Sequence, residues 1–289
     1  MSNIKGNTKK DMIHKHNSII KSFGLSKLNI NSLKLLNFLY FHIQKFSEKN
    51  NDILLNKSIN IPIKQTTIRE TLNITDSNYG SIIRDILKNL KDTNIELYDF
   101  EENGKIYKWG YKSLIYDIYE EIAEDNKTVL YRIETSVTLF NLIKNHNKKN
   151  FTKLKLNYTK KFRSNRTFIL YEYLKSIENL YLKKEHTIKW FNDFFGKNIK
   201  YLSKVKELLE PSIKVINENT DIKVSLSLDK KRKIFVFNIE ENIDVLTKEK
   251  ILKEKEKERK KKERISKLKE KEEKTEEDII DKILNKYNE

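Results

Sequence analysis

The 289-residue chain contains no cysteine, which excludes disulfides, thiolate nucleophiles and cysteine-ligated zinc. It carries 59 Lys and Arg against 42 Asp and Glu, a formal net charge of +17, and such an excess points to a polyanionic partner. No apolar run reaches the roughly 18 residues that span a bilayer, and Met1–Lys10 lacks the apolar segment of a signal peptide, so a soluble, cytoplasmic protein without a membrane partner is expected.

The length suits two ordinary domains plus an extension, since one core seldom organises more than about 250 residues. The chain is also rich in Asn and Ile, a bias that AT-rich coding imposes on any protein, so the location of the charge says more than its amount. Residues 246–289 carry 16 basic and 13 acidic side chains, which leaves +14 of the excess on residues 1–245.

Residues 1–13 read as a flexible N-terminus, followed by a first domain over 14–145. Within it, Ile30 to Phe46 predicts a helix, with Leu33, Leu36, Phe38, Leu39, Phe41 and Ile43 as its apolar face and Asn31 or Ser32 as its cap. A short extended piece, Ile59 to Ile63, precedes a brief helix over Gln65–Leu72, a polar break over Asn73–Ser77 and a longer helix to about Leu90: helix, turn, helix. Ile95–Tyr98 and Ile106–Tyr111 flank a polar connection containing Gly104, as in a hairpin, and Val129–Glu134 is read as a strand completing that small sheet.

The same order recurs over 146–245. Ser164 is placed to cap a helix through Phe168, Leu170, Tyr171, Leu174 and Ile177. Thr187–Phe195 reads as a strand-like Ile-Lys-Trp-Phe start and a short helix, Gly196 as a break, and Lys200–Asn217 as a longer helix that Pro211 should interrupt and bend. Ile222–Leu228 and Ile234–Ile239 alternate apolar and polar residues around the basic tip Asp229-Lys230-Lys231-Arg232-Lys233. From about Leu246 the chain is almost wholly charged, and Glu249/Lys253, Glu256/Lys260 and Glu258/Lys262 have the i,i+4 order that supports a lone, solvated helix.

Two stretches go further than a generic pattern. Arg163-Ser164-Asn165-Arg166-Thr167-Phe168-Ile169-Leu170-Tyr171-Glu172-Tyr173-Leu174-Lys175 resembles a signature of the theta-type plasmid replication initiators. Tyr201 through Asn219, continuing Thr220-Asp221-Ile222-Lys223-Val224, resembles a second block of that family, and its Glu210-Pro211 followed by Ile216-Asn217-Glu218-Asn219-Thr220-Asp221 is the more specific match. One departure is Ile169, which stands where the family has arginine. The resemblance covers about residues 14–240 and implies an α+β fold of two tandem winged-helix domains, here followed by the charged C-terminal helical extension. It also implies an initiator that binds repeated double-stranded DNA sites at an origin, promotes opening, engages the host initiator and replicative helicase, moves between monomer and dimer, and needs no cofactor or catalysis of its own. The competing reading is a winged-helix repressor or plasmid-maintenance regulator.

In a winged helix the second helix of the helix-turn-helix enters the major groove and the hairpin wing follows the backbone. The DNA-binding candidates are then Ser77, Asn78, Ser81, Arg84 and Lys88 in the first domain and Lys197, Lys200, Ser203, Lys204 and Lys206 in the second, with Lys230, Lys231, Arg232 and Lys233 at the wing tip. Lysine supplies phosphate affinity, whereas Asn, Ser and Arg read base edges, so the first domain is expected to add specificity.

Other constellations are set aside. His14-Lys15-His16 superficially resembles the metal-holding histidine pair of rolling-circle nickases, but Lys15 replaces a bulky apolar residue in a segment that reads as polar; His42, His146 and His186 are isolated. No glycine-rich phosphate loop is present. Tyr171, Tyr173, Trp190, Phe191, Phe194 and Phe195 have helical spacing and read as core rather than a base-stacking platform. Ile279, Ile280, Ile283, Leu284 and Tyr287 form a stripe suited either to docking or to supporting the terminal helix.

Overall fold

The first helical layer is organised by apolar residues at i, i+3 and i+4, and the computed structural model shows what they cover. It describes residues 12–49, 59–102, 105–125, 127–135, 142, 150–180, 185–252, 254–260, 265 and 266. The strand β1 (Met12–His16) opens the chain and pairs antiparallel with β7 (Phe151–Lys155), with His14 opposite Lys153. Ile13, assigned by the sequence to a flexible terminus, is fully buried. The turn α1 (Asn17–Ile20) leads to α2 (Ile30–Lys49), whose Leu33, Leu36, Leu39 and Ile43 are in the core. Its cap is neither Asn31 nor Ser32: Asn29 accepts from the Ser32 backbone N–H at 2.8 Å, one residue before the helix starts.

From here one order of elements occurs twice. First come β2 (Ile59–Lys64), α3 (Gln65–Leu72), α4 (Tyr79–Lys91) and, after an inserted hairpin of β3 (Asn94–Glu102) and β4 (Lys105–Ser113), the strands β5 (Ile115–Ile122) and β6 (Val129–Thr135). The sheet order is β2-β6-β5. Pro62 is tolerated because β2 is an edge strand, where a missing N–H breaks no ladder bond. Two expectations are corrected: β5 was not foreseen, and Val129–Thr135 pairs with β2 and β5 rather than with the β3–β4 hairpin, so the hairpin that closes this motif is β5–β6.

The second set follows α5 (Leu156–Thr159) and α6 (Asn165–Ile177). It consists of β8 (Glu185–His186), α7 (Ile188–Phe195), α8 (Leu202–Asn219), β9 (Ile222–Asp229) and β10 (Ile234–Glu241), in sheet order β8-β10-β9. That is the connectivity of β2-β6-β5 over again. Ile-Lys-Trp-Phe is not strand-like: Ile188 begins the helix, and the Thr187 hydroxyl caps it by accepting from Trp190 N–H at 3.3 Å. Ser164 sits at the N-cap position of α6 but makes no side-chain cap bond. α8 continues as one helix through Pro211, which the sequence suggested would interrupt it; Pro211 simply offers no N–H to the Glu207 carbonyl.

α6 is buried almost all round, from Thr167 to Ile177, as a helix packed on every side must be. It is touched from both sets of elements. Asn165 Nδ2 donates to the carbonyls of Ser26 and Leu28, each at 3.2 Å, while Arg166 Nη1 donates to the Leu208 carbonyl at 3.1 Å. Tyr171, Tyr173, Phe191, Phe194 and Phe195 are buried as expected, with Trp190 half-buried over His186. The described residues up to Glu241 form one compact unit and those from Asn242 onward a second, in which 243–252 and 254–260 are helical and Glu256 pairs with Lys260 at 2.7 Å. The Ile279–Tyr287 stripe, Lys253 and Lys262 lie outside the described residues.

Candidate nucleic-acid interface

The first candidate surface is α4 with the turn before it. The break between α3 and α4 depends on Asn73, whose left-handed backbone (φ 52°) suits Asn better than most residues. Arg69 holds the turn by donating from Nε to the Ile74 carbonyl at 3.1 Å. Ser77 and Asn78 are exposed at the start of α4, Asn78 at its N-cap position; Ser81 is half-buried, and Arg84 and Lys88 are exposed one and two turns on. Ile83, Ile86, Leu87 and Leu90 face the core, so these polar residues share the free side.

Arg84 is not a loose cation. Its Nε donates to Glu120 Oε2 at 2.7 Å and its Nη2 to Glu120 Oε1 at 2.8 Å, across to β5. The pairing raises the guanidinium pKa and lowers that of the Glu120 carboxyl, in each case chiefly through this hydrogen bond. Lys91 reaches Asp117 at 2.9 Å and Arg132 reaches Glu121 at 2.7 Å. The β5–β6 hairpin is thus a carrier of carboxylates, not a basic wing. Glu120 is a participant that sequence reasoning missed; it lies 36 residues from Arg84, and no local pattern couples the two.

The second surface is built the same way. Gly196 (φ 59°) ends α7, and Asn192 pins the following turn by donating to the Ile199 carbonyl at 3.0 Å and accepting from its N–H at 2.7 Å. Lys197 and Lys200 are exposed in that turn, and Ser203, Lys204 and Lys206 are exposed on α8, opposite the buried Val205 and Leu209. Lys204 pairs with Glu207 at 2.7 Å and Lys206 with Glu210 at 3.4 Å, both on the open surface where such pairs are weak. A groove of about 270 Å³ runs between α8 and the hairpin. It brings Ser203, Lys206 and Lys230 to one place, over Leu226, Leu228 and Phe235.

At the hairpin tip, Asp229 Oδ1 accepts from the backbone N–H of Lys231 and Arg232 at 3.0 and 3.1 Å, and Lys233 has a left-handed backbone (φ 55°). Lys230, Lys231 and Lys233 point outward from this tight turn. Arg232 instead spends its terminal edge on Glu185 of β8, Nη1 to Oε1 at 3.0 Å and Nη2 to Oε2 at 2.7 Å, which holds the tip against the sheet.

Several residues of the two sequence blocks that carry the family resemblance are scaffold chemistry. Tyr171 OH donates to Asp221 Oδ1 at 3.2 Å and Lys175 reaches Asp221 Oδ2 at the same distance, so one block holds the other. Asn217 accepts from Val224 N–H at 2.7 Å and donates to its carbonyl at 2.9 Å, and Thr220 donates to the Ile216 carbonyl at 2.9 Å, together fixing how α8 turns into β9. Ile169 is buried, so the arginine missing there costs this surface nothing.

Residues 12–175 match the family model described as Initiator Replication protein, WH1. The chain belongs to that replication-initiator family. No curated protein matches the initiator in sequence. Among solved structures, it is similar to a crystal structure of Pi initiator protein in complex with iteron DNA, with a TM-score of 0.55 at 15% identity, covering 81% of this chain and 97% of the other. A second neighbour is a structure of domains 2 and 3 of RctB, at TM-score 0.43 and 12% identity over 74% of this chain and 82% of that one. At these identities the Pi likeness speaks to the fold.

The remaining constellations resolve into structure. His14-Lys15-His16 lies in β1, not in a loose polar segment; His16 Nδ1 accepts from Ser18 N–H at 3.2 Å to cap α1. Among the described residues, no three His, Asp or Glu side chains come together as a metal site, and no helix is long and apolar enough to cross a membrane.

Proposed function

We propose that this initiator works in the cytoplasm by binding repeated double-stranded DNA sites at a plasmid origin through two tandem winged-helix domains, over about 14–145 and 146–245. The observation that carries the reading is the repeated arrangement: the three strands of β2-β6-β5 and of β8-β10-β9 each flank a helix-turn-helix, one strand before it and two after, whose second helix, α4 or α8, turns a polar side outward. In that geometry α4 presents Ser77, Asn78, Ser81, Arg84 and Lys88 to the major groove, and α8 presents Ser203, Lys204 and Lys206, with Lys197 and Lys200 beside it. Lys230, Lys231 and Lys233 lie on the phosphate backbone. The Pi initiator's complex with iteron DNA supports the same class of partner here. Binding then promotes origin opening and recruitment of the host initiator and helicase, with no catalytic step by this chain, and a monomer–dimer equilibrium governs availability. The chain from 246 onward is a charged extension, helical over 246–252 and 254–260 among the described residues.

The test is a footprint of the purified protein on the DNA flanking its own gene, at near-physiological salt with excess nonspecific competitor. Protection repeated at regular spacing over direct repeats is expected. A single palindromic footprint would make the chain a repressor of the same architecture, and no protection would refute DNA recognition.

A further inference from the structure

Arg84 and Arg232 are both gripped by a glutamate, but by different edges, and the difference assigns them different work. An arginine has five N–H donors in a planar fork, and guanine is read by two parallel bonds from the terminal Nη1/Nη2 edge to O6 and N7. Glu185 occupies that terminal edge on Arg232, which leaves a staple for the hairpin tip. Glu120 takes Arg84 from the side, through Nε and Nη2, with a weaker hydrogen bond to the Tyr131 hydroxyl beside it, so no carboxylate spans the terminal edge of a side chain that is 58% exposed.

Glu120 is itself well held. It stands on β5 opposite Tyr131 of β6, whose hydroxyl hydrogen-bonds the Glu120 carboxylate and accepts from Gln65 Nε2 of α3 at 3.2 Å. The carboxylate is therefore referenced to the sheet and to both helices of the helix-turn-helix, so the guanidinium plane is set before any partner arrives. Pre-setting a rotamer-rich side chain removes an ordering cost from binding. A negative charge on that hairpin also repels phosphate, so its presence is unfavourable for general DNA affinity and useful only for geometry.

We infer that Glu120 is a specificity-determining positioning residue, which holds Arg84 side-on so that its terminal edge reads a guanine in the major groove. The inference rests on the proposal that α4 enters that groove.

It is tested by selecting bound duplexes from a pool with a randomised core of roughly 20 bp, two helical turns, with wild type, Arg84→Lys, Glu120→Gln and Glu120→Asp. Wild type should select one G·C pair by roughly 5- to 150-fold, the worth of one bidentate base contact. Arg84→Lys keeps the charge but not the fork and should abolish that column. Glu120→Gln should flatten it while affinity for a random duplex holds or rises. Glu120→Asp, with the charge kept and the reach shortened, should flatten it with random-duplex affinity unchanged. If Arg84→Lys erases the column and both Glu120 variants keep it, α4 still reads DNA and the positioning role is overturned. If Arg84→Lys alters no column, Arg84 reads no base and the inference falls, while the placement of α4 falls only if the wild type selects no base in the randomised core.

Discussion

Lys15 and Glu172 lie 157 residues apart in sequence and form a fully buried ion pair, Nζ to Oε2 at 2.8 Å. Asn37 closes the triangle: it accepts from Lys15 Nζ at 3.1 Å and donates to Glu172 Oε1 at 2.7 Å. The three residues come from β1, α2 and α6, so the triangle ties the helix that begins the first motif to the helix that begins the second. Tyr40 lies under the ammonium, 5.3 Å from it, and burial followed by the Glu172 charge drives the Tyr40 hydroxyl pKa well above its usual value. Removing one member of such a pair leaves an uncompensated buried charge, at about 3–5 kcal/mol, whereas replacing both with uncharged residues is close to neutral. Lys15→Met and Glu172→Gln should each lower the urea midpoint strongly, and the double variant should be more stable than either. Losses that simply add would show that the pair does not act as one unit.

How much of this was legible beforehand depends on the range of the interaction. Gln65–Leu72 and the Ile222–Glu241 hairpin follow from local periodicity and turn chemistry, and the structure has them at or close to the predicted bounds. β5 escaped because it turns Tyr119 and Ile122 outward and intersperses them with carboxylates, so it lacks a clean alternation of apolar and polar residues. Lys15 was read as evidence of a polar segment because its partner lies in another helix. The candidate lysines and serines were found from helical spacing alone. The carboxylates that hold Arg84 and Arg232 belong to strands 36 and 47 residues away, and only tertiary structure reveals them.

His186 gives the fold a pH dependence of definite sign. It is buried against the face of Trp190, 3.9 Å between ring centroids, and lies 3.0 Å from the Tyr173 hydroxyl; burial lowers its pKa from 6.5 to about 4. The unfolded chain takes up this proton near 6.5 and the folded chain only near 4, so stability is whole above pH 6.5 and is lost as pH falls through that interval. The contribution is of the order of 3 kcal/mol. His16, lowered to about 4 by burial, acts in the same direction. Unfolding free energies measured from pH 7 to pH 4 should fall, and His186→Gln should reduce the slope. An unchanged slope would place the titration elsewhere.

Gly24 is fixed by backbone geometry. Its φ is 106°, and a Cβ there would lie 2.6 Å from the Asn94 carbonyl oxygen. That approach lets Phe23 exchange two backbone hydrogen bonds with Glu96, at 2.9 and 3.3 Å, anchoring the inserted hairpin to α1. Gly24→Ala combines a disfavoured φ with a clash against backbone, a loss of roughly 2 kcal/mol or more. Hydrogen exchange should show Phe23 and Glu96 amides losing protection ahead of the α6 core. Retained protection in the variant would mean that the loop has another way to close.

The hairpin tip separates affinity from selectivity in a way that salt can read. Lys230, Lys231 and Lys233 stand out from a turn that Asp229 and Arg232 hold in shape, so the three lysines are available to phosphates while Arg232 is engaged. Each phosphate contact releases about 0.9 counterion from duplex DNA. Replacing the three lysines by alanine should therefore reduce the slope of log K against log salt by about 2 to 3 and weaken specific and random duplexes by the same factor. Arg232→Ala should act differently, loosening the tip with a smaller change in slope. If the lysine variant kept the parental slope, the β9–β10 hairpin would not touch the backbone, and the positive charge on residues 1–245 would have to act through the α4 and α8 faces.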